Sequence, residues 1–333
     1  MTSRVPLPPP FARAPFAVRT ARAAGISRSR LRGADLETPF RGIREVPSAI
    51  PDAESADQRE RRLLLARCRA FAPRLAPDHF FSRQTAARLW GAPLPDRFDG
   101  TQLLHISNPR RAIRSAGVVG HRAIGVTVSR RFGMPVSDAA DTWLSLASEL
   151  SPPDLVAVGD HLILEPRVLD PRDIRPYVTF DELHDRLAHF SGRGAQAAAS
   201  ALRLMRHGAE SRPETLLRLL LGRAGFPEPL LQAEIVDDGG HFLGFADLYY
   251  PEFKVIVEYD GDHHRTRVSQ YDRDITRIDE FIASGNAVVR VRAARIFRSP
   301  SSIAPLVLRA HERQAKVMGL ELPLAALRSQ LKG

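Results

Sequence analysis

The chain reads as a mixed α/β protein of several domains, and three features of its 333 residues say so. The length exceeds what one ordinary hydrophobic core organises. Apolar spacing switches repeatedly between the 3.6-residue period of helices and the two-residue alternation of strands. From Ser211 onward the pattern settles into one ordered series: helix, three-strand meander, helix, strand, helix. Divisions are expected near residues 50 and 207. They give a small unit over 1–50, a middle α/β domain over 51–207 and a C-terminal domain over 208–333.

The first fifteen residues are Pro-rich and loose. Phe16–Ala24 predicts a helix ended by Gly25, and Ile26–Leu36 a second helix capped by Ser27. Thr38–Val46 (TPFRGIREV) then reads as a short extended hairpin. Two short helices joined at a glycine and followed by a strand pair suit a small winged helix. In the middle region, helical spacing runs from Gln58 to Phe71, Phe81 to Trp90, Ser137 to Leu150, Asp154 to Leu164, Thr179 to Phe190 and Gly194 to His207. Leu103–Ser107 and Val118–Val128 alternate like strands. The middle region has no acidic cluster, Gly-rich phosphate loop or nucleophile motif.

Charge narrows the partners. There are 48 Lys plus Arg against 38 Asp plus Glu, a net charge of +10, and the bases are nearly all arginine. Arginine suits bidentate contact with phosphate and with the guanine edge, so nucleic acid is favoured. A GC-rich genome inflates Arg, Ala and Pro as well, and composition alone leaves both readings open. The single cysteine, Cys68, excludes an internal disulfide and a thiolate zinc site, and a cytoplasmic location is expected. The N-terminus lacks the apolar core of a signal peptide. No stretch approaches the ~20 apolar residues of a membrane span, so no membrane partner is expected. Arg218 interrupts the greasiest run, LLRLLL. Oligomeric state is not legible.

The C-terminal domain concentrates the chemistry. Its helix is predicted over Pro213–Ala224, its meander strands over Gln232–Val236, Phe242–Tyr250 and Lys254–Asp260, its second helix over Ser269–Ser284 and its fourth strand over Ala287–Arg292; a helix over Pro305–Met318 closes it. Four acids stand out: Glu214, Asp247, Glu258 and Asp260. Asp247 lies in the second meander strand, while Glu258 and Asp260 close the third, two positions apart and therefore on one face. The spacing from Asp247 to Glu258 lets one strand end, turn and return to the same level. Carboxylates beside Val255-Ile256-Val257 are costly to desolvate unless a cation or donor compensates. Converging carboxylates are what a hard cation such as Mg²⁺ needs, and such a cation activates water for phosphodiester hydrolysis. The alternative is a solvated strand end in which Asp260-Gly261-Asp262 is simply a turn. Glu214 has two readings as well. Ser211-Arg212-Pro213-Glu214 is a capping box, and the helix can also aim that acid at the sheet.

His263 and His264 follow directly, either as acid–base groups or as an exposed pair in a polar loop. Arg265, Arg267, Arg273 and Arg277 come next. They either hold a nucleic-acid backbone or, like Asp274 and Arg277 three positions apart, pair within the helix.

SRPETLLRLLLGRAG, FLGFADLYYPEFKVIVEYDGDHH and YDRDITRIDEFIASGNAVVRV, taken in order, resemble the nuclease domain of the very-short-patch-repair (Vsr-like) endonucleases. That family has the PD-(D/E)xK, restriction-endonuclease-like fold. The likeness covers roughly Ser211–Arg298. It implies that Glu214 is the helix acid, Asp247 the first metal-binding acid and Glu258 the second. His264 matches the histidine after the E-x-D-G motif, and Gln232 a glutamine on the first strand. Asp260 stands where many relatives in the wider fold carry lysine. Asp cannot stabilise developing negative charge, which makes Asp260 a candidate further metal ligand and His264 the candidate acid–base group. GISRSRLRGADLETPFRGIREV, SRQTAARLWGAPLP and GMPVSDAADTWLSLASEL resemble the abortive-infection AbiEi-type antitoxin and regulator family. That likeness implies a DNA-binding winged helix-turn-helix, a cognate toxin as partner, and a recognition helix near Ser27–Gly33. Arg28 and Arg30 there either contact phosphate or end a solvated helix.

The expected protein is a DNA-binding, Mg²⁺- or Mn²⁺-dependent endodeoxyribonuclease. Two alternatives stay open: a regulator without catalysis, and an antitoxin defined by its toxin.

Overall fold

The computed structural model describes residues 5–47, 54–98, 103–261 and 268–321, with the backbone alone for 268–274. The chain is mixed α/β and divides into two compact units, Met1–Leu146 and Ala147–Gly333. The sequence suggested divisions at 50 and 207. The observed division falls after Leu146 because the helices over 152–204 pack with the C-terminal elements.

The first unit opens with α1 (Pro9–Ala12), β1 (Phe16–Ala17), α2 (Val18–Ala23) and β2 (Ile43–Arg44). The expected second helix over Ile26–Leu36 is a single 3-10 turn, Arg30–Arg32. Serine and glycine punctuate that segment, and Ser27 Oγ accepts from the Arg30 N–H at 3.2 Å, so the hydroxyl closes a turn instead of capping a helix. The expected hairpin over Thr38–Val46 is reduced to a single antiparallel bridge, in which Glu37 and Glu45 exchange backbone hydrogen bonds at 2.9 and 3.2 Å. Pro39 brings no N–H, and Ile43–Arg44 pairs antiparallel with Phe16–Ala17 instead. Phe16, Ala21 and Leu31 form a small core there.

The unit continues with α3 (Ala56–Phe71), β3 (Phe80–Phe81), α4 (Arg83–Leu89), β4 (Leu104–Asn108), β5 (Arg114–Ser115), β6 (Val118–Arg122), β7 (Val128–Arg131), β8 (Met134–Ser137) and α5 (Ala139–Leu146). Ser55 and Gln58 form a reciprocal capping box that starts α3. The six strands make one sheet in the order β5-β6-β4-β3-β8-β7. The strand expected over Val118–Val128 is broken near Gly125, whose φ of +72° suits a turn. Cys68 is buried in this unit.

The second unit holds α6 (Pro152–Ile163), α7 (Phe180–Ala188), α8 (Ala195–Leu204), α9 (Arg212–Arg223), β9 (Leu230–Val236), β10 (Phe242–Tyr250), β11 (Val255–Asp260), α10 (Val268–Ala283), β12 (Ala287–Arg292), α11 (Ala293–Arg298) and α12 (Ile303–Met318). The order helix, meander, helix, strand, helix predicted from Ser211 onward is found, with α11 added before the last helix. The sheet runs β12-β11-β10-β9; the meander is antiparallel, and β12 joins β11 in parallel through the α10 crossover. Alternation sorts the side chains. Leu248, Val255, Val257, Val289 and Val291 pack against Leu217 and Leu221 of α9 and Ile303 and Val307 of α12. Ile235, Ala246 and Ile256 pack against Phe281 of α10.

Polar contacts tie α9 to α6. Arg212 holds Asp154 at 2.7 Å, and buried Arg218 holds buried Asp160 at 3.2 Å. Thr215 Oγ1 donates to Asp160, as does the Arg206 N–H. Burial pushes the Asp160 carboxyl up to about 6, with Arg218 opposing the shift. These bonds place α9, and with it Glu214, with the helices before it. No helix among the described residues is long and apolar enough to cross a membrane.

Candidate active site

Glu214, Asp247 and Glu258 line one cleft of about 680 Å³, which also receives Gln232, Phe245, Arg167, Arg277, Asp260 and Arg290. The cleft exists because three elements depart from regularity at one level. Leu231 and Ala233 of β9 pair with Leu248 and Ala246 of β10. Between them Gln232 takes a left-handed backbone, φ +48°, which a non-glycine residue adopts only when its surroundings hold it there. On the other side, the β10–β11 ladder stops at Leu248↔Val257. One step further, side chains replace the ladder. The Asp247 N–H donates to Glu258 Oε1 at 3.2 Å, and the Tyr259 N–H donates to Asp247 Oδ2 at 2.8 Å.

Glu214 arrives from α9. Ser211 Oγ accepts from the Glu214 N–H at 3.3 Å, so the cap is made. The reciprocal half of the expected capping box is not. Glu214 Oε2 accepts instead from the Glu210 N–H at 2.9 Å and from Gln232 Nε2 at 3.2 Å. The same Gln232 nitrogen lies 3.3 Å from Asp247 Oδ1 and so bridges two acids. Arg277 completes the group. It donates to Glu258 Oε2 at 2.8 Å and to the Phe245 carbonyl at 2.5 Å.

Burial governs the electrostatics. Glu214 is 7% exposed and Glu258 is 4% exposed. Desolvation, reinforced by the Asp247 charge, pushes Glu214 up to about 8. The same two causes push Glu258 up to about 7 against the pull of Arg277. Desolvation also raises Asp247, opposed chiefly by the Tyr259 N–H and Arg277. Among the described residues, the guanidinium hydrogen-bonded to these three carboxylates is that of Arg277, on Glu258.

The remaining expected residues are distributed differently. Asp260 lines the cleft, but its carboxylate is held by Arg290 at 3.1 Å and Arg292 at 3.5 Å, both on β12. Parallel pairing places Asp260 opposite Arg292, which accounts for that neutralisation. Arg277, a candidate backbone-binding residue, turns inward to Glu258. Arg30 is engaged by Asp35 at 2.7 Å and by the Val5 carbonyl, whereas Arg28 is exposed. His263, His264, Arg265 and Arg267 lie outside the described residues, as does the side chain of Arg273. Sequence reasoning missed Arg277 as a partner of Glu258 and missed Arg167, which pairs with Glu210 and stacks on the Phe245 ring 3.8 Å from its centroid. Arg277 falls in a segment the sequence reading singled out, but as a nucleic-acid contact or a partner of Asp274; Arg167 lies in no segment singled out there.

Among the described residues no group of three or more His, Cys, Asp or Glu side chains stands ready to hold a metal ion. The residues that could hold a hard divalent cation are Asp247 and Glu258 on adjacent strands and Glu214 on α9, which bring buried carboxylate oxygens to one cleft. Their partners are Gln232, the backbone amides of Glu210, Asp247 and Tyr259, and Arg277.

No family profile matches the chain. It is 26% identical over 237 residues to "Uncharacterized protein MT2308" of Mycobacterium tuberculosis (strain CDC 1551 / Oshkosh), covering 71% of this chain and 82% of that protein. The same figures hold for "Uncharacterized protein Rv2248" of Mycobacterium tuberculosis (strain ATCC 25618 / H37Rv). No solved structure matches.

Proposed function

We propose that this protein is a metal-dependent endonuclease that hydrolyses phosphodiester bonds of DNA in the cleft of its second unit. One observation carries the reading: Asp247 and Glu258 meet across adjacent strands where their side chains displace the sheet ladder, with Glu214 brought to the same point through Gln232. A sheet gives up backbone pairing for three desolvated acids only where something offsets their charge. The element order and the ordered motifs resembling the PD-(D/E)xK nucleases support the same reading.

Asp247 and Glu258 would hold the cation, with Glu214 as third acid. A bound Mg²⁺ or Mn²⁺ would neutralise phosphate charge and lower the pKa of a water. The chain's own residues supply the rest. The Tyr259 and Asp247 amides orient one oxygen of each strand acid. Gln232 keeps Glu214 and Asp247 within reach of one another. Arg277 fixes Glu258 and balances one charge. Arg167 and Arg290, partly exposed in the cleft, offer guanidinium groups to a phosphodiester. At neutral pH the raised glutamates retain protons that a cation would release.

Supercoiled plasmid incubated with the full chain and Mg²⁺ tests the proposal. Cleavage is expected, abolished by chelator and reduced at least 100-fold in Asp247→Ala and Glu258→Ala, the scale of losing a group that acts only in the transition state. Full cleavage by both variants would remove the assignment. Metal-independent binding without cleavage would favour the regulator reading, to which the satisfied Arg277–Glu258 pair lends support.

A further inference from the structure

We propose that the β5–β6 edge of the six-stranded sheet is a docking surface for the phosphate backbone of duplex DNA, formed by Arg110, Arg111, Arg114 and Arg122. The inference is independent of the nuclease reading, because the acids belong to the other unit.

Charge is segregated along the chain. Residues 1–146 hold 24 arginines against 12 acids, whereas residues 147–333 hold 24 Lys plus Arg against 26 acids. The entire positive excess therefore lies in the first unit. Within it, residues 101–137 contain six arginines, two histidines and no Asp or Glu. This stretch supplies five of the six strands of the sheet.

The two edges of that sheet use their arginines differently. On the β7 edge, Arg131 donates to the Leu89 carbonyl and stacks over Trp90, and Arg130 donates to the Gly133 carbonyl. On the β5–β6 edge, Arg111, Arg114 and Arg122 are exposed and have no acidic partner among the described residues; Arg122 Nε donates to the Pro109 carbonyl at 3.4 Å, which steadies the side chain without neutralising it. Arg110 is 86% exposed and meets Asp78 only at 3.4 Å. An ion pair so open is worth little, so the guanidinium is available.

The arginines are also held in place. Asn108 Oδ1 accepts from the Arg110 and Arg111 N–H groups at 2.9 and 3.0 Å, and Asn108 Nδ2 donates to the Arg111 carbonyl at 2.8 Å. The loop is thereby closed on its own strand. It then lies flat on β6, because Gly120 carries no side chain; a Cβ there would fall 2.2 Å from the Ile113 carbonyl. Register sets Arg122 opposite Asn108 and Arg114 opposite Val119. Four fixed guanidinium-bearing positions are thus displayed along one edge.

The chemistry selects the partner. Arginine's planar fork matches phosphate oxygens. Residues 101–131 contain no Phe, Tyr or Trp, so the surface lacks the stacking platforms that single strands use, which favours a duplex backbone.

The test is binding of a fluorescent random-sequence 24-bp duplex by the full chain, read by anisotropy in chelator across 50–200 mM NaCl. Chelator separates this result from any question of cleavage. For R110A/R111A/R114A/R122A, affinity at 100 mM salt is expected to fall by roughly tenfold or more. The slope of log K against log salt should become shallower by about 3 to 4, one release step for each phosphate-binding arginine removed. The matching Arg→Lys variant should keep most of the slope. Arg111→Glu alone, on a residue without an acidic partner, should weaken binding in the same direction and stands in if the quadruple variant fails to fold. Wild-type affinity and slope in a folded quadruple variant and in Arg111→Glu would overturn the proposal. So would tighter binding to phosphatidylserine-containing vesicles than to the duplex.

Discussion

At the scale of single residues, Gln232 and the glutamates state the design most clearly. A glutamine in a left-handed conformation inside a strand is strained, yet the bend lets one amide nitrogen serve two acids. The raised glutamates carry a consequence for stability. Glu214 sits at about 8 and Glu258 at about 7, against an ordinary value of 4.5. The folded chain therefore binds more protons than the unfolded chain between roughly pH 5 and 8, and stability falls as pH rises through that window. A cation that replaces the protons reverses the trend. Thermal melting from pH 5 to pH 8 is expected to show a falling midpoint that millimolar Mn²⁺ restores at pH 8. Glu214→Gln/Glu258→Gln should flatten both effects. A midpoint that rises with pH and ignores Mn²⁺ would contradict this account. The acids themselves were legible in the sequence, because carboxylates in apolar strands conflict with propensity. The role of Asp260 was not, since its neutralisation comes from β12 by parallel pairing, a long-range interaction that spacing does not encode. The capping box was half legible. Ser211 caps as expected, but the Glu214 carboxylate turns to Gln232 and the Glu210 amide and leaves the cap's own N–H aside.

At the scale of elements, the site depends on irregularities at the β9, β10 and β11 borders. Gly244, with φ +153°, lies at the register shift between β9 and β10. A Cβ there would stand 2.8 Å from Arg277 Cδ and 3.2 Å from Phe281 Cζ. Gly244→Ala should therefore push α10 and Arg277 away from Glu258. The cost expected is about 1–3 kcal/mol of unfolding free energy by denaturant titration, with a matching drop in cleavage. An unchanged midpoint would mean that α10 is not held closely at this point. The C-terminal elements were readable because strong periodicity and clear stops agree there. β10 and β12 have the expected bounds, and β11 begins one residue late, after Lys254 in a left-handed turn. The N-terminal helices were over-read. Short segments rich in arginine, serine and glycine carry weak periodicity, and long-range pairing of Phe16–Ala17 with Ile43–Arg44 decided their structure. Arg218 interrupts an apolar run for a reason found only in three dimensions: it neutralises Asp160 on α6.

At the scale of the whole molecule, the chain keeps its charges in different places. Positive excess lies in the first unit, and buried acid lies in the second. The two proposals assign salt-sensitive attraction to one unit and chemistry to the other. Composition hinted at nucleic acid, but only the sheet order and register bring Arg114 and Arg122 to the same edge as the loop that carries Arg110 and Arg111. The proposed chemistry stands or falls with the cleft at Asp247 and Glu258. Crystals of the full chain grown in Mn²⁺ and measured at a wavelength sensitive to manganese give the most direct answer. An anomalous peak between the carboxylates of Asp247 and Glu258 is predicted. Manganese bound only elsewhere, with Arg277 still seated on Glu258, would contradict it.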